Sequence, residues 1–373
     1  MPHEAPIEEA GRIMTICNAC RYCEGYCAVF PAMERRLSFL PGDLKYLANL
    51  CHGCGECYYA CQYAPPHEFA VNVPRTLAQV RVESYRQYAW PPAVGVAFER
   101  SGVVAALAVA LGLSGILALS IAIVGDARLL ATPVPGGDFY RIIPHGVMAA
   151  TFGGVALLVL VALGMGLARF WRDAGESGAQ LGHGFAWRDA LTDVFSLKYL
   201  HGGGMGCTYP DEHRSQARRW FHHLTFYGFL LCFAATCTAT VYHYLLRLEA
   251  PYPYLSLPVG LGTLGGIGLL IGPLGLLWLR AHRDPQTAEP SQTLLDAGFA
   301  VLLSLTSASG LLLTVLRESS MLGLLLVIHL GLVMALFLTM PYGKFVHGMY
   351  RAAALLKYAL ERARPVTHRA GND

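Results

Sequence analysis

Six long apolar runs follow one another after residue 100 and constrain the fold of this chain more than any other feature. A helix crosses the hydrocarbon core of a bilayer with about 20 residues, and each run reaches that length. One such run is compatible with a buried helix of a soluble protein, but six in succession predict a multi-span membrane domain. The runs are Ser101–Val124, Ile143–Ala168, His222–Leu246, Leu255–Leu279, Thr293–Leu316 and Ser319–Met340.

The charge content agrees with a membrane domain. Only 14% of the 373 residues are charged and 54% are hydrophobic, which is unusual for a soluble protein. Five runs lack Asp, Glu, Lys and Arg, and the fifth run in chain order contains Asp296 alone. The net charge of +3 and the absence of a basic, aromatic-rich patch argue against nucleic-acid binding.

The orientation is predicted from the termini and the loops. The first residues, MPHEAPIEEAGR, are acidic and lack the apolar stretch of a signal peptide, so we expect the N-terminal region to be cytoplasmic. An excess of Lys and Arg in the loops on that side follows the positive-inside pattern. Six spans place both termini on one side, and both are therefore expected in the cytoplasm.

Eight of the eleven cysteines lie in two copies of the pattern C-x2-C-x2-C-x3-C, namely CNACRYCEGYC from residue 17 and CHGCGECYYAC from residue 51. In a reducing compartment such clusters are typical of metal ligands. In two-cluster ferredoxins the fourth cysteine of each run binds the other cluster. The sequence therefore predicts two [4Fe–4S] clusters, the first on Cys17, Cys20, Cys23 and Cys61 and the second on Cys51, Cys54, Cys57 and Cys27.

The alternative metal is zinc, but structural zinc sites usually combine one C-x2-C pair with a distant second pair. The segment between the two runs has a helical rather than a strand-like pattern. We therefore expect a mainly α protein with three parts: an α-helical ferredoxin-like domain at 1–95, a transmembrane bundle at 96–346 and a cytoplasmic tail at 347–373. Cys207, Cys232 and Cys237 are interpreted as ordinary small residues.

Histidines in or beside the spans are candidate haem ligands, because ionisable residues are costly inside a membrane. His223 and His243 lie twenty residues apart on the third span, and His329 and His347 lie eighteen apart around the sixth. If these spans run antiparallel, the spacing predicts two pairs of facing histidines, each called a rung below. They are His223 with His347 on the cytoplasmic side, and His243 with His329 on the outer side.

Other histidines can replace members of the two rungs, and the sequence does not fix the number of haems. His222 can replace His223, and His145 lies at the level of the outer rung. Two haems, one haem and none are all compatible with the spacing. The loop HGGGMGCTYPDEHRSQARRWFHH, residues 201–223, is interpreted either as a flexible turn or as a segment lying against the iron–sulfur domain and the inner haem.

Nearly the whole chain resembles the tricarballylate/citrate utilization protein B family. The resemblance rests on the two cysteine runs, the second extended to CHGCGECYYACQYAPPHEFAVNVP, and on YLHGGGMGCTYPDE, RRWFHHLTFYGFLLCFAAT and VYHY. It implies an electron-transfer protein of the bacterial inner membrane with two [4Fe–4S] clusters and b-type haem. Its implied partners are a soluble FAD-dependent tricarballylate dehydrogenase, which donates electrons, and the quinone pool. The six-span part is similar in architecture to di-haem cytochrome b subunits.

Two other functions remain possible from the sequence. One is electron transfer for a flavin-dependent porphyrinoid oxygenase in cobalamin synthesis, and the other is a zinc-bearing membrane sensor or transporter. No Ser-His-Asp set, paired carboxylates or nucleotide-binding fingerprint is recognisable. We therefore expect a redox subunit of a dehydrogenase–quinone reductase system rather than a stand-alone catalyst.

Overall fold

The computed structural model describes residues 5–97, 101–125 and 131–364, and the predicted mainly α fold is confirmed. Within these ranges the β structure is one isolated bridge, between Cys207 and Ser215. The α-helices of these ranges are α1 (Ala5–Cys20), α2 (Val29–Met33), α3 (Pro41–Leu50), α4 (Glu56–Tyr59), α5 (Val73–Tyr88), α6 (Pro92–Ala97), α7 (Ser101–Val124), α8 (His145–Asp173), α9 (Gly184–Phe195), α10 (Ala217–Tyr244), α11 (Leu257–Ala281), α12 (Pro290–Val315), α13 (Leu322–Thr339) and α14 (Val346–Ala363).

Helices α1 to α5 build the cysteine-bearing domain around a dense core. Met14, Phe30, Tyr46 and Leu77 are fully buried there. Helix α5 begins where Asn72 accepts a hydrogen bond from the backbone amide of Arg75, with a proline in the first turn. This is a favourable helix start, because the side-chain oxygen satisfies an amide that has no partner within the helix.

Six helices, α7, α8 and α10 to α13, are long and apolar enough to cross a membrane, which confirms the prediction of a membrane protein. Several extend past the predicted runs. Helix α10 begins at Ala217, five residues before the predicted span, and α8 continues to Asp173. The reason is that a helix can leave the apolar layer and continue with charged residues, so the end of an apolar run does not mark the end of its helix.

Close contacts through glycine fix the rotation of α10 against α11. A Cβ atom on Gly228 would lie 2.9 Å from the carbonyl oxygen of Gly265, and one on Gly265 would lie 2.8 Å from the Cys232 sulfur. Small residues allow helix backbones to approach closely inside a membrane, where dispersion contacts drive association. The same contact decides which face of α10 is left for other partners.

Helix α14 joins the membrane domain to the cysteine domain instead of forming a separate tail. It packs against α3, α8 and α9, and its Tyr350 and Leu356 are buried. Glu361 forms an ion pair of 2.6 Å with Arg36, which also lies 2.6 Å from Asp43. Residues 347–363 of the predicted tail thus belong to a helix of the shared core, and residues 365–373 lie outside the described ranges.

Candidate metal centres

The first cysteine set surrounds a cavity of about 270 Å³. Cys17 and Cys20 lie on the last turn of α1, which ends where Arg21 adopts a left-handed conformation with φ 55°. The chain then turns back and brings Cys23 to the same cavity. The cysteines that line it are Cys17, Cys20, Cys23, Cys57 and Cys61.

The second set lies around a smaller, neighbouring cavity lined by Cys27, Cys51, Cys54 and Cys57. Its loop folds tightly because Gly53 and Gly55 have φ values of 61° and 84°, which favour glycine. Gly55 also precedes α4, which carries Cys57. Since Cys57 lines both cavities, the two sites adjoin.

Several thiols in the two sets are hard to ionise without a bound cation. Burial, followed by the charges of neighbouring cysteines, raises the pKa of Cys17 and Cys23 to about 12. Burial and the same kind of repulsion raise the pKa of Cys57 well above its ordinary value. Four thiolates around one cavity therefore require positive charge between them, and the donor set fits an iron–sulfur core.

The size of the first cavity argues against zinc. A zinc ion holds four sulfur atoms at about 2.3 Å, which leaves little space between the ligands. Here the cysteines line a cavity of about 270 Å³ together with apolar side chains, including Ile16 and Phe30. This arrangement favours a cluster of several atoms over a single ion.

A pair of histidines lies at the end of the membrane domain that faces the cysteine domain. His222 on α10 and His347 on α14 have ring centroids 6.1 Å apart. Metal–nitrogen bonds to histidine are about 2 Å long, so two imidazoles on opposite sides of one iron have centroids roughly 6 Å apart. The spacing of this inner pair fits a haem iron with two histidine ligands.

The chemistry of His347 also suits a ligand. Its Nδ1 lies 2.6 Å from the carbonyl oxygen of Lys344, and donation of the Nδ1 proton there leaves Nε2 free to bind metal. Burial, with smaller contributions from Lys344 and His222, holds the pKa of His347 well below its ordinary value. The imidazole is therefore neutral, as metal binding requires.

His223, the first choice for this rung, lies on another face of α10. Its ring stacks on Tyr227 with centroids 5.8 Å apart and contacts Trp220 at 6.2 Å. Consecutive helical residues point about 100° apart, so only one of the two neighbouring histidines can face α14. The structure brings His347 together with the alternate, His222.

The outer histidines form a different arrangement. His145, the alternate on α8, stacks on His243 of α10 with centroids 3.8 Å apart and ring planes 20° apart. His329 lies instead against α12, where its Nδ1 is 3.1 Å from the Ser309 hydroxyl. The predicted rung of His243 with His329 is therefore not assembled, and the stacked pair leaves no room for an iron between its rings.

The loop before α10 lies against the second cysteine loop, as the second interpretation of its sequence expects. Thr208 donates a hydrogen bond to the Cys54 carbonyl oxygen at 3.4 Å, and Arg214 forms a 2.9 Å ion pair with Glu56. Ligand atoms of His52, Cys54 and Cys207 all lie within 4.8 Å of one another. This group could not be predicted from the sequence, because neither His52 nor Cys207 belongs to a recognisable spacing pattern.

Comparison with known proteins gives consistent matches over both parts of the chain. Residues 100–368 match the family model described as Citrate utilization protein B, and residues 10–89 match that of the Citrate utilization protein B Fer4-like domain. A curated protein from Escherichia coli named Citrate utilization protein B is 52% identical over 360 residues, which cover 96% of this chain and 93% of that protein. No solved structure matches the chain.

Proposed function

Because the chain belongs to the citrate utilization protein B family, we propose that it carries electrons from a reduced flavoprotein to membrane quinone. The Fer4-like domain supports an iron–sulfur electron-transfer role, and the six apolar helices give access to a lipid-soluble acceptor. The donor is a soluble FAD-dependent dehydrogenase of the tricarballylate or citrate pathway. The chain itself performs no bond chemistry on the carboxylate substrate.

Three redox groups have candidate ligands in this proposal. The first [4Fe–4S] cluster is held by Cys17, Cys20, Cys23 and Cys61, and the second by Cys27, Cys51, Cys54 and Cys57. His222 and His347 hold one haem b, since the inner pair has the required spacing and the stacked outer pair does not. When bound, these groups accept and release single electrons, which couples a two-electron flavin donor to stepwise transfer.

The protein is proposed to lie in the bacterial inner membrane with the cysteine domain in the cytoplasm. The helix ends nearest that domain carry many of the cations, including Arg169, Arg280, Lys344 and Arg351. Positive residues are enriched on the cytoplasmic side of membrane proteins. A cytoplasmic cysteine domain is also accessible to a soluble flavoprotein.

One observation carries this proposal: two adjoining cavities are lined by eight cysteines, and the loop of the second is hydrogen-bonded to the helices that bear the inner histidine pair. The test uses the purified protein in quinone-containing nanodiscs with the FAD-dependent dehydrogenase and tricarballylate. We expect substrate-dependent reduction of the haem absorption band and of quinone.

Variants distinguish electron transfer through the clusters, the relay, from direct transfer between the flavoprotein and the haem. Cys20→Ala and Cys54→Ala should each block reduction of the haem band by the flavoprotein, while Cys237→Ala, at an exposed cysteine outside both sets, should not. Unchanged transfer in both cluster variants would refute the relay. A colourless, zinc-containing wild-type protein would refute the whole proposal.

A further inference from the structure

The two cysteine runs share one spacing pattern but have different surroundings. The first run lies at the surface, where Tyr22 is 68% exposed. In the described part of the chain its hydrogen bonds include those from Asn18 to the Arg36 carbonyl and from Arg21 to the Asn18 carbonyl, both within the cysteine domain. A soluble partner can approach this run directly.

The second run is buried against the membrane domain. His52, Cys54 and Glu56 are each less than 8% exposed. Tyr59 donates a 2.8 Å hydrogen bond to Asp284 in the segment between α11 and α12. Together with the Thr208 and Arg214 contacts, these interactions hold the second run on the ends of the membrane helices.

Arg218 on α10 provides one direct link to the inner histidine pair. Its guanidinium donates hydrogen bonds to the carbonyl oxygens of His52 and, at 3.2 Å, Gly53. It also lies over the Tyr209 ring, 4.5 Å from the ring centroid. His222 follows four residues later, which places it one helical turn further along the same helix face.

Arg351 on α14 provides a second link of the same kind. It donates to the carbonyl oxygen of Cys51 at 2.6 Å and to that of Asn49 at 3.3 Å. His347 precedes it by four residues, again one turn away on the same face. Each helix that supplies an inner histidine therefore also supplies an arginine to the second cysteine loop.

The positive charges around the second cysteine loop favour reduction of a cluster at that site. Arg218 and Arg351 bring two positive charges, and the Arg283 guanidinium approaches Gly53. Positive charge beside a cluster stabilises its reduced state and raises its reduction potential. These charges therefore stabilise an electron on the second site, where the carboxylate of Glu56 is paired with Arg214.

The geometry points to the Cys27, Cys51, Cys54 and Cys57 set as the electron exit to the inner histidine pair, with Arg218 and Arg351 as the positioning residues. This inference rests on the proposed function. One electron from the partner's reduced flavin arrives at the Cys17, Cys20, Cys23 and Cys61 set and moves to the second set. A cluster held by the second set would then be oxidised by one electron, and a haem iron held by His222 and His347 would be reduced by that electron. No proton moves in this step.

The first test is a redox titration followed by electron paramagnetic resonance (EPR). Signals are assigned to the two sites by their loss in Cys20→Ala or Cys54→Ala. We expect Arg218→Gln and Arg351→Gln each to lower the potential of the Cys54-dependent signal by about 59 mV, a tenfold change in its equilibrium constant. Arg21→Gln, a matched loss of an arginine beside the first set, should leave that signal unchanged.

A second measurement tests the positioning role separately from charge. Arg218→Lys keeps the charge but loses the paired hydrogen bonds, since an ammonium group lacks the planar fork of a guanidinium. We expect a near-normal potential, normal iron and haem content, and at least about tenfold slower haem reduction from prereduced clusters. This combination would not follow from a merely structural role.

Three results would overturn the inference. The first is a shift in the potential of the Cys20-dependent signal in place of the Cys54-dependent one. The second is unchanged potentials and rates in both arginine variants. The third is haem reduction by a small chemical reductant that survives in Cys54→Ala and is lost in Cys20→Ala. A wild-type protein without cluster signals would instead refute the proposed function, so the two failures are distinguishable.

Discussion

The two histidine pairs of the membrane domain lie at opposite ends and differ in geometry. The inner rings, His222 and His347, have centroids 6.1 Å apart, whereas the outer rings, His145 and His243, stack at 3.8 Å. The inner pair belongs to helices tied to the cysteine domain by arginines, and a backbone carbonyl orients one of its rings. Two histidine pairs that look alike in the sequence therefore do not form similar sites. Helix rotation and neighbouring contacts decide the distance between the rings.

The largest expected effect tests the inner pair. Replacing either His222 or His347 with Ala should remove the same haem, because each supplies one of two axial ligands. The pyridine haemochrome assay should show loss of nearly all haem, and both variants should lack the same low-spin EPR signal. His223→Ala is the matched control, and loss of haem in that variant alone would reverse the assignment.

A partly buried ion cluster should make the inner end sensitive to charge removal. Asp296 pairs with Arg280 at 2.9 Å and with Lys344 at 2.8 Å, and Lys344 also orients His347 through its carbonyl. Asp296→Asn leaves two cations without their partner; breaking a fully buried pair costs about 3–5 kcal/mol, and we expect a loss below that range because these side chains are partly exposed. Thermal unfolding in detergent, followed by the haem band, measures the loss.

The matched control for the ion cluster is Asp189→Asn, which breaks the exposed pair with Arg362. Surface pairs contribute about 0–1 kcal/mol, so this variant should unfold near the wild-type temperature. Equal stability of the two variants would show that the inner end is not held by the Asp296 cluster.

The outer pair should show a smaller effect. His145→Ala, His243→Ala and the double variant should retain the wild-type haem content, since stacked rings at 3.8 Å do not enclose an iron. A double-mutant cycle on stability should give a coupling of about 0.5–1.5 kcal/mol for an aromatic pair. Loss of a second haem in either single variant would show that this pair opens to bind one.

The smallest effect is expected at His329. Ser309→Ala removes its hydrogen bond to that ring and should cost about 1 kcal/mol in stability without changing haem content. Differential scanning calorimetry of the wild type and the variant in the same detergent measures this loss of stability. A drop in haem content would assign His329 a role in haem binding.

The sequence predicted the features that follow from composition and local spacing. Six apolar runs gave six helices of the right length, and the two cysteine runs matched a Fer4-like domain. These features are encoded over short stretches. Hydropathy determines whether a stretch can form a membrane helix, and the spacing of cysteines in a loop determines whether they can bind one metal centre.

The sequence could not predict contacts that depend on helix rotation and distant packing. The choice of His222 over His223 follows from the face of α10 left free by its glycine contact with α11 at Gly228 and Gly265. The role of α14 depends on the ion pair between Arg36 and Glu361, whose positions are 325 residues apart. Neither contact leaves a local pattern.

The most direct measurement of the central claim is the metal and haem content of the purified wild-type protein, combined with air-oxidised and dithionite-reduced visible spectra. We expect about eight non-haem iron atoms with matching acid-labile sulfide and one haem b per chain. A reduced b-type band should appear beside broad iron–sulfur bleaching. Two haems per chain would contradict the distinction between the inner and outer pairs, and zinc without haem would contradict the electron-transfer account itself.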